Sequence, residues 1–345
     1  MRGVIVPKAG APFEVVETLE KPEPKKNEIL VKSIVTGLNP MENFMQNGLL
    51  VEGWPIVLGC DASGVVAEIG EGVAKFKVGD PVFGCSKVGF PGYMTFQEYF
   101  LMDEKLAFKR PGHISSESAA TTGVASLTAS LGLVSGMKLS LSEPKLKSAH
   151  SEWIVILGGA SSVGQFAIQL SKLNGYTVLA SCSPTSNELV RSIGADATLS
   201  YKDEFEDQLA QIKSVTKGNF ARVYDASAQS SELALKALAT TSQASKKYFA
   251  TTNDWSPMDV SDYDVEVYRI GLGQLGRSGN AFVDKTNSDI IDYIPQLEKL
   301  FETGALKPLE YHVAGHGFEG VLEGLEFLNN GDKMGRKIVV RLQDE

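Results

Sequence analysis

The chain has 345 residues, of which 43% are hydrophobic and 22% charged; this length suits about two globular domains, and the composition excludes a disordered or fibrous protein. Its 33 basic and 42 acidic side chains give a formal net charge of -9, so neither nucleic acid nor an anionic membrane surface is an expected partner. Because there is no apolar run of membrane-spanning length, no signal-like N-terminal stretch and only 3 cysteines, we expect a cytoplasmic protein.

The first third of the chain is predicted to form short β-strands separated by turns. Three segments rich in Val and Ile have the composition of strands, namely residues 3–6, 28–35 and 63–69. Glycine and proline residues punctuate the chain between them, and residues 59–70 resemble one arm of a hairpin. We therefore predict a compact, mostly β domain over residues 1–125.

From residue 115 onward the pattern changes. Residues 115–120 supply candidate helix N-caps and an acidic first turn, and a connector rich in Lys and Ser runs from about residue 135 to residue 151. The continuous apolar run over residues 153–157 is typical of a strand that is covered on both faces. The apolar stripe of residues 163–173 then predicts an amphipathic helix.

Strands and helices are predicted to keep alternating after this helix. The further predicted strands are residues 177–180, 197–200, 222–226 and 247–251. This rhythm predicts an α/β fold with a doubly wound parallel sheet. Toward the C-terminus we predict helices over residues 290–302 and 318–328 and a closing strand over residues 337–342.

The turn between the buried strand and the amphipathic helix contains the pattern Gly159-x-Ser161-x-x-Gly164. A helix that starts on such a turn is an anion site, because its free N–H groups and its dipole both face the ligand. Gly159 is expected to make the tight turn, Gly164 to let the helix pack closely, and Ser161 to leave room for a pyrophosphate. The residues predicted to hold a dinucleotide on this turn are Gly158, Gly159, Ser161, Ser162 and Val163.

The end of the second strand indicates which dinucleotide binds. An NAD site has an acidic residue there for the ribose hydroxyls, and this chain has none. A 2′-phosphate can lie against Ser181, Ser183 and Asn187, with Tyr201 and Lys202 reaching in from the next strand. NADPH is therefore the predicted cofactor, and the alternative is that this segment is only a solvated loop.

Metal ligands are sparse in this sequence. A catalytic zinc needs three Cys, His or carboxylate ligands and an open position. His312 and His316 form the close histidine pair, but they lie in a glycine-containing segment that does not suit a helical pair, and the cysteines have no C-x-x-C spacing. We predict no metal site, so the chemistry has to rest on the cofactor.

Three segments have spacings that are typical of one superfamily. Residues 59–66 match the pattern G-x-[DE]-x-x-G-x-V, and residues 78–84 and 117–129 follow in the expected order. Together they resemble the medium-chain dehydrogenase/reductase superfamily, in its zinc-free quinone-reductase and enoyl-reductase branch. In zinc-dependent relatives a ligand histidine stands where this chain has Cys60.

Further segments narrow the resemblance; they are the connector before Trp153, residues 180–184, residues 320–325 and residues 335–341. They are similar to segments of the fungal trans-acting enoyl reductases and ToxD-like proteins. The resemblance implies a GroES-like, mostly β catalytic domain over residues 1–125, completed by residues 276–345. A Rossmann domain with a doubly wound parallel sheet is implied over residues 126–275, with nicotinamide and substrate in the cleft between the domains.

The reaction that the resemblance implies is hydride transfer from NADPH to an activated C=C bond of an enone, enal or enoyl substrate, with a quinone as the alternative acceptor. Asn39 matches a family asparagine beside the nicotinamide, although a simple turn residue before Pro40 is an equally good interpretation. By the same resemblance Thr128 lines the cleft, and the main chain at Leu272 and Gly273 holds the carboxamide.

The proton donor and the partners stay open. Quinone reductases with the pattern N-x-x-D-x-Y carry a tyrosine near the nicotinamide, where this chain has Phe44, so water or Tyr93 is the candidate donor. A monomer and a homodimer both suit the resemblance, as does a polyketide-synthase-type partner. Two other hypotheses are an NADPH-binding structural or regulatory protein without turnover and a zinc alcohol dehydrogenase.

Overall fold

The computed structural model describes residues 1–141, 152–241, 246–330 and 334–345, so most of the predicted connector, residues 142–151, lies outside the described residues. The strands are β1 (Gly3–Val6), β2 (Glu14–Val16), β3 (Glu28–Gly37), β4 (Ile56–Val57), β5 (Asp61–Ile69), β6 (Pro81–Cys85), β7 (Tyr99–Asp103), β8 (Phe108–Lys109), β9 (Trp153–Leu157), β10 (Thr177–Cys182), β11 (Ala197–Ser200), β12 (Phe220–Asp225), β13 (Tyr248–Thr251), β14 (Glu266–Arg269), β15 (Tyr311–His316) and β16 (Lys337–Arg341). The α-helices are α1 (Met41–Gln46), α2 (Ser116–Ala119), α3 (Gly123–Ser130), α4 (Ser162–Leu173), α5 (Asn187–Ser192), α6 (Phe205–Thr216), α7 (Ser231–Ala239), α8 (Ala281–Glu302) and α9 (Glu319–Asn330).

The chain forms two compact units. The first unit contains residues 1–124, 273–302 and 307–345, and the second contains residues 125–272 and 303–306. The second unit begins one residue before the predicted segment 126–275 and its main part ends three residues before the end of that segment. None of the helices in the described ranges is long and apolar enough to cross a membrane.

A six-stranded parallel sheet forms the second unit, in the order β11-β10-β9-β12-β13-β14. The doubly wound parallel sheet predicted from the alternation of strands and helices is thereby confirmed. Strand β9 is buried from Ile154 to Leu157, which explains its unbroken apolar run. Because β10 and β12 flank β9, the strand order changes direction there, and ligands of such sheets bind beyond the carboxyl ends of these strands.

Strand β10 is longer than its sequence pattern suggested. We predicted it to end at Ala180, whereas it continues to Cys182. The two additional residues, Ser181 and Cys182, pair with Leu199 and Ser200 of β11, so the neighbouring strand extends the ladder. Polar residues at a strand end are weak predictors because such pairing depends on a neighbour distant in sequence.

The first unit is mostly β, as predicted. One sheet has the order β15-β16-β3-β5-β6-β8, with β7 also paired to β3, and a smaller sheet has the order β2-β1-β4. A core between these strands contains Ile29, Val31, Val82, Phe100 and Met102. All of the strand pairs in the described residues of this unit are antiparallel except β15 with β16.

Helix α8 starts nine residues earlier than the predicted residue 290, at Ala281. Its first half is rich in charged and amide side chains, which hides the apolar period. Val283, Thr286 and Ile290 are nevertheless buried, at the i, i+3 and i+7 spacing of one helix face. The packing of this face, rather than hydrophobic composition, extends the helix.

Three strands of the first unit bring distant residues together. Gly37, the last residue of β3, pairs with Asp61 of β5 and with Val339 of β16. Asp61 in turn pairs with Cys85 of β6. The residues that follow β3 therefore lie beside the start of β5 and the start of β16.

Candidate functional site

The turn between β9 and α4 has a defined backbone geometry. Gly158 has a φ of +81°, a left-handed conformation that favours glycine. The N–H of Ser161 donates to the carbonyl oxygen of Gly158 at 3.0 Å and closes the turn. The left-handed residue is thus Gly158, the first residue of the turn. We expected Gly159 to make the tight turn, and it is the second residue of that turn.

Ser161 begins helix α4 as its N-cap. Its hydroxyl oxygen accepts a hydrogen bond from the N–H of Gly164 at 3.0 Å. Among the described residues, no partner accepts from the N–H groups of Ala160, Ser162 and Val163. These three donors and the dipole of the 12-residue helix form a cradle for an anion.

The glycines keep side chains out of this cradle. A Cβ on Gly164 would lie 2.2 Å from the carbonyl oxygen of Gly158 and 2.9 Å from the Cα of Gly159, both of them backbone atoms. A Cβ on Gly158 would lie 3.0 Å from that of Ser227. Because helix and turn are in backbone contact, a pyrophosphate group fits against main-chain N–H groups, and the residues present therefore suit a dinucleotide.

Ser181 of β10 holds the turn in place. Its hydroxyl oxygen accepts from the N–H of Gly158 at 2.8 Å, and its carbonyl oxygen accepts from the N–H of Gly159 at 2.7 Å. The side chain is 2% exposed. The structure therefore gives Ser181 a role under the turn, and its contact with a 2′-phosphate stays a prediction.

Beyond the end of β10 the chain forms a polar loop. The Ser183 hydroxyl lies 2.9 Å from that of Thr185 and 3.0 Å from that of Ser186. Asn187 accepts a hydrogen bond from the thiol of Cys182 through its Oδ1 atom at 3.3 Å. Ser183 and Asn187 thus lie at the carboxyl end of β10, as predicted from the sequence, with several hydroxyl groups around them.

Tyr201 and Lys202 follow the neighbouring strand β11. The N–H of Tyr201 donates to the carbonyl oxygen of Cys182 at 3.3 Å, which places the two strand ends side by side. The Tyr201 ring is 54% exposed. The ammonium group of Lys202 has no hydrogen-bond or ion-pair partner among the described residues, so it is an unneutralised cation beside this loop.

A buried carboxylate, which the sequence argument missed, shapes the loop after β12. Asp225 is 0% exposed, and its Oδ1 atom accepts from the N–H and the hydroxyl of Ser227 at 3.0 and 2.6 Å. Its Oδ2 atom accepts from the N–H of Ser230 and the hydroxyl of Thr251, both at 3.1 Å. Asp225 thereby holds Ser227 against the glycine turn. The available signal was an aspartate followed by two serines at a strand end, which is typical of an Asx turn.

A second group of polar residues, the Asn39 cluster, lies in the first unit and consists of Asn39, Glu42, Asp61 and Lys337. Asn39 follows β3, Glu42 belongs to α1, and Asp61 and Lys337 begin β5 and β16. Their exposed fractions are 5%, 0%, 0% and 3%, so the two carboxylates are closed to bulk water and Asn39 has the largest exposed fraction of the four.

Hydrogen bonds connect all four members of the Asn39 cluster. The Lys337 ammonium donates to Asp61 Oδ2 at 3.0 Å and to Asn39 Oδ1. The side-chain amide of Asn39 donates to Asp61 Oδ2 at 3.1 Å, and its backbone N–H donates to Glu42 Oε2 at 2.6 Å. The other oxygen of Asp61 accepts from the N–H of Val124 at 2.6 Å.

Burial governs the electrostatics of the Asn39 cluster. It raises the pKa of Glu42 to about 7, although the nearby Lys337 ammonium acts in the opposite direction. Burial also raises the pKa values of the Cys60 and Cys85 thiols well above their usual range, and the neighbouring carboxylates add to this effect. Both thiols are therefore neutral, and neither is an activated nucleophile.

Asn39 was predicted from the sequence as a site residue, whereas the other three members of the Asn39 cluster were not. Glu42 stands at the acidic position of the family pattern N-x-x-D, and Asp61 and Lys337 lie in two segments that carry the resemblance. These motifs were the available signal. Their meeting depends on the pairing of β3, β5 and β16, for which no local pattern exists.

The remaining predicted cofactor and substrate residues lie in the two units as follows. Thr128 belongs to α3, is 7% exposed, and its carbonyl oxygen accepts from the hydroxyl of Tyr224 at 2.9 Å. Leu272 is 5% exposed. Gly273 lies in the first unit, where a Cβ on it would meet the Leu50 side chain at 2.4 Å.

The tyrosine considered as a proton donor is held by a carboxylate. The Tyr93 hydroxyl donates a hydrogen bond to Glu28, the first residue of β3, whereas Asn39 follows the last residue of this strand. Burial and this hydrogen bond raise the pKa of Tyr93. A phenol held in this way is a poor acid. Phe44, at the position where the family pattern has a tyrosine, is 51% exposed.

Within the described ranges, no group of three His, Cys, Asp or Glu residues is arranged to hold a metal ion. His312 stacks on Phe327 with a distance of 4.8 Å between ring centroids, and both His312 and His316 belong to β15. The pair therefore lies on a strand rather than on a helix.

Comparison with known proteins gives consistent matches. The model of the alcohol dehydrogenase GroES-like domain matches residues 25–112. Trans-enoyl reductase RAP2 of Pyricularia oryzae is 30% identical over 334 residues, which is 93% of this chain and 93% of that protein. Trans-enoyl reductase TOXD of Cochliobolus carbonum is 36% identical over 186 residues, which is 53% of this chain and 61% of that protein.

Solved structures show the same fold. The crystal structure of Escherichia coli quinone oxidoreductase complexed with NADPH matches with a TM-score of 0.76 and 20% identity, and covers 99% of this chain and 100% of that one. At this identity the likeness bears on the fold alone. It agrees with a GroES-like unit and a Rossmann unit in one chain, as predicted.

Proposed function

Because the chain belongs to the medium-chain dehydrogenase/reductase superfamily, in its ToxD-like trans-enoyl reductase branch, we propose that it is an NADPH-dependent reductase that transfers a hydride to an activated C=C bond without a metal. The substrate is an enone, an enal or an enoyl thioester. The observation that carries the proposal is the turn from Gly158 to Gly164, with three free N–H groups and glycines at the positions where a Cβ would meet the backbone or a neighbouring strand.

When NADPH is bound, it supplies the hydride that reduces the substrate. The N–H groups of Ala160, Ser162 and Val163 hold the pyrophosphate, and Ser161 orders the start of α4. Ser183, Tyr201 and Lys202 surround the 2′-phosphate, and the absence of a carboxylate at the end of β10 supports NADPH over NADH.

In the first unit, Asn39 is the residue that we assign to the reacting end. One hydrogen of its amide has only long contacts, 3.4 Å to the carbonyl oxygen of Gly37 and 3.5 Å to Glu42 Oε1, so it can bind an oxygen of the substrate or of the nicotinamide carboxamide, which stabilises charge or fixes orientation. By the family resemblance, the main chain at Leu272 and Gly273 would hold the carboxamide, and Thr128 would contact a bound ligand. The proton for the enolate comes from water, because the hydroxyl of Tyr93 is engaged by Glu28.

Quinone reduction is the second candidate function. The resemblance of residues 59–66, 78–84 and 117–129 to the zinc-free quinone reductases supports it, and the two reactions would use the same cofactor. We also propose a cytosolic protein, in line with its three unpaired cysteines in the described residues. It would be a monomer or a homodimer with a small-molecule substrate and no nucleic-acid partner, and the resemblance to the trans-acting enoyl reductases implies a polyketide-synthase-type partner.

A cofactor-oxidation screen tests the proposal. Purified protein is mixed with NADPH or NADH and with an enone, an enal, an enoyl thioester or a quinone, and absorbance is followed. We expect oxidation of NADPH by at least one of the three C=C acceptors, much slower oxidation of NADH, and no loss of rate with a zinc chelator. Turnover with the quinone alone would select the second candidate.

Other outcomes of this screen contradict the proposal directly. Binding of NADPH without oxidation by any acceptor would indicate a structural or regulatory NADPH-binding protein. Equal rates with NADH would contradict the 2′-phosphate site. One zinc ion per chain in the active protein, lost together with activity on chelation, would indicate a zinc alcohol dehydrogenase.

A charge at Ser183 tests the 2′-phosphate site separately. Ser183→Asp is expected to weaken NADPH binding about 10- to 100-fold through repulsion between like charges, with little effect on NADH. Ser183→Asn is the matched control, because it has the same shape without the charge. The measurement is the Kd of each cofactor by fluorescence titration. Equal NADPH affinity in both variants would remove this loop from the site.

A further inference from the structure

Lys337 carries a buried positive charge that the proposed function has not used. Its ammonium group is enclosed between Asp61 and the amide of Asn39, and the side chain is 3% exposed. Asp61 is in turn anchored from its other side by the N–H of Val124. The ion pair is therefore rigid at both ends and closed to water.

Stability alone does not explain this pair. Removing two ions from water costs several kcal/mol per ion, and well-packed apolar residues in place of a buried ion pair are often neutral or stabilising by about 1–4 kcal/mol. Val35 and Val339, on the same strands β3 and β16, belong to an apolar cluster with Ala120, so these strands also carry buried apolar side chains. The effect of the Lys337 ammonium on the neighbouring Asn39 amide is therefore the more informative property of the pair.

The ammonium fixes the direction of the Asn39 amide. A lysine ammonium only donates, so its partner on Asn39 has to be the carbonyl oxygen Oδ1. The NH2 end of the amide then points away from Lys337, toward Asp61. If the amide rotated by 180°, its NH2 group would face the ammonium, which has no acceptor. Lys337 thus excludes one of the two amide orientations.

This orientation leaves one hydrogen of the amide weakly bound. One N–H donates to Asp61 Oδ2 at 3.1 Å. The other has only long contacts, 3.4 Å to the carbonyl oxygen of Gly37 and 3.5 Å to Glu42 Oε1. Contacts of this length are weak hydrogen bonds, so this second N–H is the one available to a ligand.

We propose that Lys337 is a positioning residue for the reductase reaction, which acts by locking the Asn39 amide so that its second N–H faces the ligand, while Asp61 holds Lys337 in place. The inference rests on the proposed function, in which Asn39 touches the substrate or the nicotinamide. A neutral residue at position 337 would remove the donor that holds Asn39 Oδ1, so the amide would be held mainly by its hydrogen bond to Asp61 and would lose its fixed direction toward the ligand.

Glu42 makes this arrangement sensitive to pH. The titratable groups that face it are Lys337, Asp61, Cys60 and Cys85, and burial raises its pKa to about 7. Because the ammonium of Lys337 lowers the pKa of Glu42, loss of the ammonium moves the titration of Glu42 to higher pH.

Steady-state kinetics of Lys337→Met test the proposal, with Lys285→Met as the control because Lys285 is 73% exposed in a surface ion pair. We expect Lys337→Met to lower kcat about 100-fold, as removal of one oriented donor does, with the KM for NADPH unchanged. The step near pH 7 in the rate profile should move upward in Lys337→Met and vanish in Glu42→Gln. Lys285→Met should behave as the wild type.

A double-mutant cycle separates positioning from a merely structural role. If Lys337 acts through Asn39, then Lys337→Met adds nothing to Asn39→Ala, and the double variant has the kcat of Asn39→Ala. If the fold-losses of kcat in the two single variants multiply in the double variant, the proposal is overturned. It is also overturned if Lys337→Met folds and has an unchanged kcat. If Lys337→Met does not fold, Asp61→Leu/Lys337→Met leaves no ion buried alone, and its kcat is expected to equal that of Asn39→Ala.

NMR of the Asn39 side-chain amide tests the role of Lys337 without any measurement of turnover. In protein labelled with ¹⁵N-asparagine, the side-chain resonances of Asn39 are assigned by their loss in Asn39→Ala. We expect these resonances to shift and broaden in Lys337→Met and to stay in place in Lys285→Met. If the wild type reduces no acceptor, the proposed function is wrong. The role of Lys337 is rejected by a different result, namely Asn39 resonances that are unchanged in Lys337→Met.

Discussion

Gly164→Ala is expected to weaken NADPH binding about 100-fold, because two hydrogen bonds to a charged pyrophosphate, each contributing about 1.5 kcal/mol, are lost. The new Cβ would lie 2.2 Å from the carbonyl oxygen of Gly158, so α4 and the turn have to move apart. The N–H groups of Ser162 and Val163 move with the helix, so they can no longer donate to the pyrophosphate together with the N–H of Ala160. Overpacking should also cost about 1–3 kcal/mol of folding free energy.

The measurements are NADPH titration by fluorescence and unfolding in urea. Gly112→Ala is the matched control, since a Cβ at Gly112 meets no atom within 4 Å. It should leave both quantities near the wild-type values. Wild-type NADPH affinity in Gly164→Ala would show that the dinucleotide binds elsewhere, and it would remove the main support for the proposed function.

Breaking the buried ion pair of Asp61 and Lys337 is expected to cost about 3–5 kcal/mol of unfolding free energy in each single variant, Asp61→Leu and Lys337→Met. Each substitution leaves one charge without its partner in a space closed to water. The double variant should lose less than either single variant, because no ion then stays buried alone. Some loss should persist, since the N–H of Val124 no longer has its acceptor.

Urea unfolding of the four proteins at pH 7 provides the double-mutant cycle. The control pair is Lys21→Met and Glu68→Leu, which breaks a half-exposed ion pair and should cost at most about 1 kcal/mol. Additive losses in the double variant Asp61→Leu/Lys337→Met would contradict the buried pair. Such a result would also weaken the assignment of Lys337 as the residue that orients Asn39.

Much of the second unit could be predicted from the sequence because its signals are local. The unbroken apolar run of β9, the glycine turn and the stripe of α4 adjoin one another along the chain, and each has a physical reason that needs no distant partner. The predicted element ends are wrong where contact with a neighbouring strand or helix sets the length of the element. Pairing with β11 extends β10 to Cys182, and packing of a polar-rich first half extends α8 back to Ala281.

The glycine turn itself was only partly predicted. Its position and the close approach at Gly164 follow from the pattern, whereas the cap at Ser161 was not predicted. The left-handed conformation of Gly158 and the role of Ser181 beneath the turn do not, because they depend on how β10 meets β9. Ser181 was assigned to the ligand by its place in the sequence, whereas its hydroxyl is turned inward.

The sequence by itself determined the fold class, the family and the position of the glycine turn, because strand burial, turn chemistry and helix caps act over a few adjacent residues. Only the tertiary structure decided what surrounds Asn39. Lys337 lies 298 residues from Asn39 and 276 from Asp61, and the pairing of β3 with β5 and β16 brings them into hydrogen-bond contact. The energy of a buried charge depends on such enclosure, which no local pattern of residues encodes.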